Sequence, residues 1–414
     1  MAAKRRTTRK VTEWVLVAAA LLAVAALGAP ATPAQEGDKP HVEVYGFVQA
    51  DYVQDFNRVD PNWQDTLRPS KIPTVDGLYG DDGQAIISAR QSRLGVLMNF
   101  PTTNKTVYTK FEFDMFGVGV DAGQTTIRLR HAYGEWGQWL AGQTNTLFMD
   151  ASIFPNVIDY WGPTGMVFYR TPQIRWTPYK NDKTTFSVAV EKPGNDIDGG
   201  VIREFDPELA EDIHGSQKVP DLTAQYRMKQ SWGHLQIAGI LRKVAYDTWD
   251  TPDNEPKGSE IGWGIDLTSG IQVGSNGKNK VLLGLVYGSG IASYMNDGGV
   301  DLAPDGTITD PEAKAVPLLG ISAYYDHYWS DRFSSSFGVS QTQVDNTSLQ
   351  ADDAYYRGQY VSANLLYYPT KNVFVGGEYL YGQRKDNDGA SGCDNRVQIS
   401  FHYSFSTKDI FKKN

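Results

Sequence analysis

Arginines at alternate positions are the residues of this sequence with the clearest chemical capacity. The segment TTIRLRHAYGEW places Arg128 and Arg130 two positions apart, so in a β-strand both side chains would lie on one face. A guanidinium group binds a carboxylate through two parallel hydrogen bonds, and rings of arginine or lysine in a pore select anions. The spacing therefore predicts an anion-binding surface, provided that this face lines a water-filled channel.

Further charged residues fall at predicted inward positions and extend this surface. The candidate pore lining is Arg93, Arg128, Arg130, Arg170, Arg175, Arg227, Arg242, Lys110, Glu112, Asp150 and Asp159. Arg170 has the opposite parity to Arg175, so it can face inward only at a strand end or a bulge. An alternative stays open, in which the arginines merely balance inward acids such as Glu112, Asp114 and Glu378.

The segment that follows WLAGQTNT, residues 147–166, predicts how such a pore would be narrowed. Its aromatic residues include Phe148, Phe154, Tyr160 and Trp161. An exposed loop has no need of so many aromatic side chains, whereas a loop folded into the lumen would bury them. Such a loop would also set Asp150 and Asp159 opposite the arginines. The alternative is a loop that packs on the rim or against a neighbouring subunit.

Catalysis and metal binding have little support in the sequence. A serine hydrolase needs a histidine and an orienting group beside its nucleophile, and none of the six histidines lies in a recognisable nucleophile motif. His214, in IHGSQK, is only a weak candidate. The acidic loops DGGVDLAPDGTITD and DNDGASGCDN lack the closing glutamate of a calcium loop. We therefore predict no catalytic residue, no metal site and no cofactor.

The elements that must position the arginines are β-strands. From residue 41 onward, about 16 runs of roughly 8–14 residues alternate apolar and polar side chains, the length of tilted strands that cross a bilayer. The run RVQISFHYSF, residues 396–405, is typical: Val397, Ile399, Phe401, Tyr403 and Phe405 alternate with polar residues. Short turns alternate with long polar connections, and aromatic residues cluster beside the short turns, as in the girdles of membrane barrels.

These patterns predict the fold class and its orientation in the membrane. We expect an all-β transmembrane antiparallel barrel of about 16 strands with an inward-folded constriction loop. The apolar face of each strand should contact lipid, and the polar face should line the lumen. A formal net charge of −9 argues against a nucleic-acid partner, which would need a basic stripe.

The N-terminus predicts export from the cytoplasm. Residues 1–34 combine the basic stretch MAAKRRTTRK, the apolar stretch WVLVAAALLAVAALG and the small residues APATPA, which is the layout of a cleaved secretory signal peptide. Cleavage is expected after Ala34, or after Ala31. Residues 35–405 would then form the barrel in a bacterial outer membrane, in contact with lipid and lipopolysaccharide. Residues 406–414 would form a short polar tail.

Two stretches carry a specific family resemblance. The runs FMDASIFPNVIDYWGPTGMVFYRTPQIRWT and GGEYLYGQRKDNDGASGCDNRVQISFHYSF resemble the DcaP-like family of outer-membrane porins. The resemblance implies a 16-stranded barrel, a homotrimer, passive diffusion of small anionic solutes with dicarboxylates favoured, and a constriction loop on residues 147–166. It also places Asp150, Arg170 and Arg175 at matching motif positions.

The sequence departs from this family pattern at both ends of the barrel. Some members carry a helical, coiled-coil-like extension before the barrel, whereas only QEGDKP separates the expected cleavage site from the first strand. The segment STKDIFKKN follows the last strand, where many barrels end on the aromatic residue itself. The functional prediction is an anion-preferring porin. A non-selective or cation-preferring porin and, more distantly, a barrel enzyme are the alternatives.

Overall fold

The computed structural model describes residues 40–103, 105–274 and 277–410, so the predicted signal peptide lies outside the described residues. Most of the described chain is β-strand, as the period-two alternation predicts. The strands are β1 (His41–Asp55), β2 (Gln84–Ser88), β3 (Arg93–Pro101), β4 (Thr106–Phe116), β5 (Thr125–Trp136), β6 (Trp139–Asn145), β7 (Arg170–Lys180), β8 (Thr184–Glu191), β9 (Ile213–Gly215), β10 (Asp221–Gln230), β11 (Gly233–Thr248), β12 (Gly258–Val273), β13 (Asn279–Ser289), β14 (Leu302–Thr307), β15 (Asp310–Ala315), β16 (Pro317–Tyr328), β17 (Phe333–Val344), β18 (Tyr355–Thr370), β19 (Val373–Asp386) and β20 (Ser391–Ser406).

Sixteen of these strands close into one antiparallel barrel. Each barrel strand pairs with the next in chain order, and β20 closes the ring on β1, with Phe401 opposite Ala50 and Phe405 opposite Gly46. The four strands outside the ring are accessory: β2 pairs with the upper part of β1, β9 with β11, and β14 with β15. The predicted fold class and strand number are confirmed.

The helices are short and lie in the connections. They are Pro61–Trp63, Pro69–Lys71, Gly119–Asp121, Ala151–Ile153, Ile202–Phe205, Pro207–Asp212, Ala292–Tyr294 and Thr407–Ile410. Among the residues that the structure describes, no helix is both long and apolar enough to cross a membrane. The last of these helices begins directly after Ser406, and Lys408 pairs with Glu43 of β1 at 2.5 Å, which holds the start of the predicted tail against the barrel.

The two faces of the last strand show which side of the barrel is apolar. Ile399, Phe401 and Tyr403 are 40, 46 and 53 % exposed on the outer surface. Gln398 and Ser400, on the opposite face of the same strand, are fully buried inside the barrel. A water-soluble barrel would reverse this arrangement, because burial of apolar surface is what stabilises it. The outer surface is therefore apolar, as a lipid-facing surface must be.

Cysteine accessibility tests this orientation. In a Cys393→Ser background, we expect His402→Cys to react with a charged thiol reagent at least about tenfold faster than Phe401→Cys, since the thiolate is the reactive species and an apolar setting suppresses it. The measurement is the rate of modification in intact vesicles, with detergent-unfolded protein as the control for intrinsic reactivity. Equal rates at the two neighbouring positions would contradict the assignment of the faces.

Turn geometry separates the two ends of the barrel. Gly137 and Gln138 form a two-residue hairpin turn between β5 and β6, and Gly137 has a φ of +61°, which such turns require. Trp136 and Trp139 flank this turn as a directly opposed pair. Further exposed aromatic residues beside short turns are Tyr179, Trp232, Trp329, Phe333 and Tyr367. These residues form the expected interfacial girdle at the short-turn end.

Three connections fold into the barrel rather than away from it. We call them the first inner loop (residues 56–83), the constriction loop (residues 147–166) and the third inner loop (residues 290–301). Residues 57–83 form a long connection with a polar sequence, yet Leu67 and Ile72 within it are fully buried against Tyr360 and Leu380 of the barrel wall. The inward wall carries apolar patches there, and the loops remove them from water.

A buried ion triad fastens the first inner loop to the wall. Arg396 of β20 is fully buried, and its Nη2 atom contacts Asp55 at 2.8 Å and Asp394 at 2.5 Å. Its Nη1 atom donates to the carbonyl oxygen of Gln64 at 3.1 Å. A buried charge is tolerated only when it is paired and hydrogen-bonded in this way. The triad therefore specifies where the loop lies.

Candidate pore constriction

Five cations from β3, β4, β5 and β7 converge on one side of the lumen, and we call them the arginine wall. Its members are Arg93, Lys110, Arg128, Arg130 and Arg170. The barrel register explains the convergence, because β3, β4 and β5 are adjacent and Asp114 lies opposite both Arg93 and Arg128. Inward residues alternate along each strand, so these side chains point to the same space.

Two acids of β4 lie within the arginine wall. Glu112 contacts Lys110 at 3.0 Å, Arg130 at 2.9 Å and Arg93 at 3.7 Å. It also accepts a hydrogen bond from the hydroxyl of Tyr45 at 2.7 Å. The Glu112 carboxylate therefore contacts three cations, and most of its hydrogen-bond acceptor sites are occupied.

Asp114 holds the two arginines of β5. Arg128 binds it through two hydrogen bonds of 3.1 and 2.8 Å, and Arg130 contacts it at 2.6 Å. Tyr160 of the constriction loop donates its hydroxyl to the same carboxylate, and its ring stacks on Phe116 at 3.9 Å. Such bidentate pairs orient the guanidinium planes as well as neutralise charge.

Arg170 has no acidic partner within the described residues. It is the first residue of β7, and at this strand end it reaches the lumen despite its parity. Its guanidinium lies over the ring of Phe168, 4.7 Å from the centroid, and its Nε atom is buried without a hydrogen-bond partner. Among the described residues, the five cations of the arginine wall thus pair with two acids, Glu112 and Asp114, and the wall keeps a net positive charge.

The constriction loop crosses the lumen and is fixed to the opposite wall. Asn156 donates its backbone N–H to Asp326 of β16 at 3.2 Å. Further along the loop, the backbone N–H groups of Ile158 and Asp159 donate to Glu378 of β19 at 2.9 and 3.1 Å. The inward folding of residues 147–166 is confirmed by these contacts.

The acids of the constriction loop bind partners outside the arginine wall. Asp159 is buried and accepts hydrogen bonds from Thr66 Oγ1 at 2.7 Å and from Tyr360 at 3.1 Å. Asp150 contacts Arg227 at 2.8 Å and His234 at 2.7 Å. The structure therefore does not bring Asp150 or Asp159 against the arginine wall, and the expected transverse pairing is not formed. Both acids instead tie the loop to the barrel.

The remaining predicted arginines lie apart from the arginine wall. Arg175 donates to Gln173 and to the carbonyl oxygen of Asn145. Arg242 is fully buried, 3.2 Å from Asp221 and 3.1 Å from Asp301. Arg227 is bound to Asp150, as described above. These three side chains face the interior but are engaged in structural contacts.

The lumen beside the arginine wall is a cavity of about 1050 Å³. Cations that sequence reasoning missed also line it: Arg68 and Lys71 of the first inner loop. Arg68 lies between the rings of Trp63 and Trp161, 4.1 and 4.3 Å from their centroids, and binds Asp297 at 2.9 Å. The sequence feature that could have revealed these cations is the tryptophan and arginine content of the first inner loop, which is otherwise polar.

Within the described residues, no group of three or more His, Cys, Asp or Glu side chains is arranged to hold a metal ion. His402, which lines the cavity, has its ring stacked on that of Phe374 and tilted by 35° against that of Phe47, with both ring centroids 4.5 Å away.

Asp196 makes the charge of the cavity depend on pH. This loop residue lines the cavity, and burial, together with the nearby charge of Asp301, raises its pKa to about 6, although Arg242 and Arg68 oppose the shift. Asp196 is therefore largely ionised at pH 7 and largely neutral at pH 5. Because the pKa of Asp196 is higher in the folded protein than in the unfolded chain, its protonation stabilises the folded state at low pH. This contribution to stability is lost as the pH rises through 6.

We expect the anion-to-cation permeability ratio of the pore to increase as the pH falls from 7 to 5. The measurement is the reversal potential in a salt gradient at both pH values. Asp196→Asn should already show the pH 5 value at pH 7 and should remove most of the pH dependence over this interval. An unchanged pH response in that variant would show that another group is responsible.

A closed 16-stranded barrel with an apolar exterior, an aromatic girdle and an inward-folded loop defines the class of outer-membrane channels. The comparison with known families agrees, since the DcaP outer membrane protein family matches residues 29–405. The chain belongs to this family and is a protein of the bacterial outer membrane.

Solved structures extend the comparison. The outer membrane channel DcaP of Acinetobacter baumannii has a TM-score of 0.74 and 24 % identity, over 90 % of this chain and all of that one. The trimer form of OmpT from Vibrio cholerae has a TM-score of 0.53 and 13 % identity, over 89 % of this chain and all of that one. OmpF of Salmonella typhi, in complex with daunomycin, has a TM-score of 0.52 and 12 % identity, over 88 % of this chain and 97 % of that one. No curated protein sequence matches the chain.

Proposed function

We propose that this porin passes small hydrophilic anions by passive diffusion and favours short dicarboxylates. The observation that carries the proposal is the excess of cations in the arginine wall, and above all Arg170, which has no acidic partner in the described structure. A positive local potential raises the concentration of anions in the pore and lowers that of cations. The overall acidity of the chain does not cancel this local field, because salt screens charges beyond about 10 Å.

The spacing of the cations supports the preference for two carboxylates. Arg128 and Arg130 are two positions apart, which is about 7 Å along a strand, and neighbouring strands place further cations about 5 Å to the side. A short dicarboxylate can therefore contact two cations at once. Because Glu112 and Asp114 already occupy part of each guanidinium, the solute binds weakly and exchanges, as conduction through a pore requires.

The decisive experiment is reconstitution of the protein in a planar bilayer. In a potassium chloride gradient, the reversal potential should have the sign of an anion-preferring channel. Addition of succinate should then reduce the chloride current more than the same concentration of acetate. A cation-selective reversal potential would overturn the proposal, and a current equally affected by both acids would overturn the dicarboxylate preference.

We propose further that the functional unit is a homotrimer. The OmpT structure described above is a trimer form, and the outer surface of this barrel presents the broad apolar wall that both lipid and subunit contacts need. Chemical cross-linking in native membranes, analysed before and after heat denaturation, should give a band of three subunits. A product that stops at two subunits or at one would contradict this assembly.

The membrane partners that we propose are the lipid bilayer and lipopolysaccharide. The apolar belt of the barrel faces the acyl chains, and the rim at the long-loop end lies at the level of the head groups of the outer leaflet. Solute passage needs no covalent step, so we propose no enzymatic activity. Retention of radiolabelled solute in proteoliposomes, without chemical change after passage, tests this point directly.

A further inference from the structure

Two outward-facing cations oppose each other on adjacent strands near the long-loop end of the barrel. Arg357 of β18 is the direct cross-strand partner of Lys385 of β19. Their immediate inward neighbours, Gly358 and Asp386, are buried inside the barrel, so Arg357 and Lys385 point to the outer surface. Like charges directly opposite each other destabilise a sheet. Such a pair needs a compensating anion.

The described protein residues do not supply that anion. Neither Arg357 nor Lys385 forms an ion pair with any described carboxylate, and the Nε atom of Arg357 is buried without a hydrogen-bond partner. The exposed acids of the adjoining loops are Asp352, Asp353 and Asp388. Their contacts lie elsewhere: Asp353 is 3.7 Å from Arg203, and the Asp388 carboxylate accepts from Ala390 N–H. The ring of Tyr356 lies 6.0 Å from Lys385 Nζ.

The surroundings of the pair have the character of a polar head-group region. Outward glutamines lie beside it: Gln341, Gln343, Gln359 and Gln383. The same strands become apolar toward the short turns, where Val339, two residues beyond Gln341, and Leu365, six residues beyond Gln359, are 54 and 52 % exposed. The pair therefore lies at the boundary between the apolar belt and the long loops, which is the level of the outer leaflet head groups.

We propose that Arg357 and Lys385 together bind a phosphate group of lipopolysaccharide in the outer leaflet. A phosphate carries up to two negative charges and accepts several charge-assisted hydrogen bonds, so it matches two adjacent cations. The neighbouring glutamines offer both donors and acceptors to the attached sugar. The inference rests on the contact with lipopolysaccharide proposed above and is independent of the anion preference of the pore.

The test compares lipids that differ only in phosphate. The full-length protein, purified and freed of endogenous lipid, is titrated in detergent with bisphosphorylated lipid A and with the same lipid after enzymatic removal of its phosphates, and bound lipid is counted by native mass spectrometry. The wild-type protein should bind the phosphorylated lipid at least about tenfold more tightly, as expected for the loss of charge-assisted bonds worth about 1.5 kcal/mol or more. Equal binding of the two lipids would overturn the proposal.

A double variant assigns the effect to this pair. Arg357→Gln with Lys385→Gln should lose most of the preference for phosphate. The matched control is Lys192→Gln with Lys243→Gln, which removes the same charge from the long-loop half of the barrel; Lys243 faces outward opposite the uncharged Ile261. That control should bind within about twofold of wild type, since distant exposed charges are screened. Equal losses in both double variants would show a general charge effect and would overturn the site.

Two further readouts keep the result interpretable. Without lipid, the Arg357→Gln/Lys385→Gln variant should unfold at the same temperature as wild type or higher, because the repulsion is gone. Phosphorylated lipid A should raise the unfolding temperature of wild type more than that of the variant. The reversal potential should be unchanged in this variant. In the wild-type protein, equal binding of the two lipids with an anion-selective current would overturn this site alone, whereas a phosphate preference with a cation-selective current would overturn only the proposed transport function.

Discussion

Replacement of both Arg93 and Arg170 by glutamine should lower the anion-to-cation permeability ratio by about fivefold to tenfold. One unit charge at about 7 Å in water contributes about 0.6 kcal/mol to the energy of a permeating ion, and salt screening at 0.1 M roughly halves this value. Loss of the two positive charges makes entry less favourable for anions and more favourable for cations. Both effects lower the anion-to-cation permeability ratio. The measurement is the reversal potential of the reconstituted channel.

This pair of positions is chosen because the protein should still fold. Arg170 has no acidic partner in the described structure, and Arg93 is only a distant third partner of Glu112, at 3.7 Å. After the double replacement, Glu112 keeps Lys110 and Arg130. Removal of Arg128 and Arg130 would be harder to interpret, because it would leave the buried Asp114 without a cation.

The matched control removes two cations that lie outside the lumen. Lys218 and Lys314 are half exposed and pair with Asp247 at the end of β11 and Asp305 of β14. Their joint replacement by glutamine changes the net charge of the protein by the same amount and should leave the permeability ratio nearly unchanged, since exposed charges are screened. If both double variants shift the ratio equally, overall charge and not the arginine wall sets selectivity.

Asp159→Ala is the second change with a large expected effect, because one carboxylate joins three segments of the chain. It accepts hydrogen bonds from Thr66 Oγ1 and Leu67 N–H of the first inner loop, from Gly162 N–H of its own loop, and from Tyr360 of β18, at 2.7 to 3.1 Å. Each buried donor left without an acceptor costs about 1–3 kcal/mol. Part of this cost is offset, because the buried charge is also removed.

The variant is expected to release both loops from the lumen. Detachment lets water satisfy the four donors, so it is the less costly outcome once the carboxylate is gone. Single-channel conductance should rise by about twofold or more, with a lower anion-to-cation permeability ratio, and the folded state should lose about 3 kcal/mol or more of stability, as breaking a buried network does. Conductance and heat-modifiable migration measure the two effects.

Two other variants show whether the acceptor itself is responsible. Asp159→Asn keeps one carbonyl oxygen and should lie between wild type and Asp159→Ala in conductance. Asp326→Ala removes an acid that holds the constriction loop through a single backbone N–H, that of Asn156, at 3.2 Å, so its effect should be smaller. A wild-type conductance in Asp159→Ala would mean that Glu378 and the buried aromatic residues fix the loop without it.

The features of this protein that can be predicted from its sequence are those set by short-range interactions along the chain. The alternation in RVQISFHYSF is a local pattern with a period of two, and it correctly placed Phe401 outside and Ser400 inside the barrel. The same reasoning predicted the strands, the short turns and the inward positions of Arg128 and Arg130. These properties depend on neighbours along one strand, so they can be read from consecutive residues.

Only the tertiary structure decided which partners the charged residues have. Asp150 and Asp159 were expected opposite the arginine wall, yet they bind His234 and Tyr360, which lie 84 and 201 positions away in sequence. The first inner loop was not recognised as part of the lumen, because its contacts with Tyr360 and Leu380 exist only after the barrel has closed. The sequence determined the faces of each strand. Barrel closure determined which loops fill the interior and left Arg170 without an acidic partner among the described residues, whereas the register of the β18–β19 hairpin set Arg357 opposite Lys385.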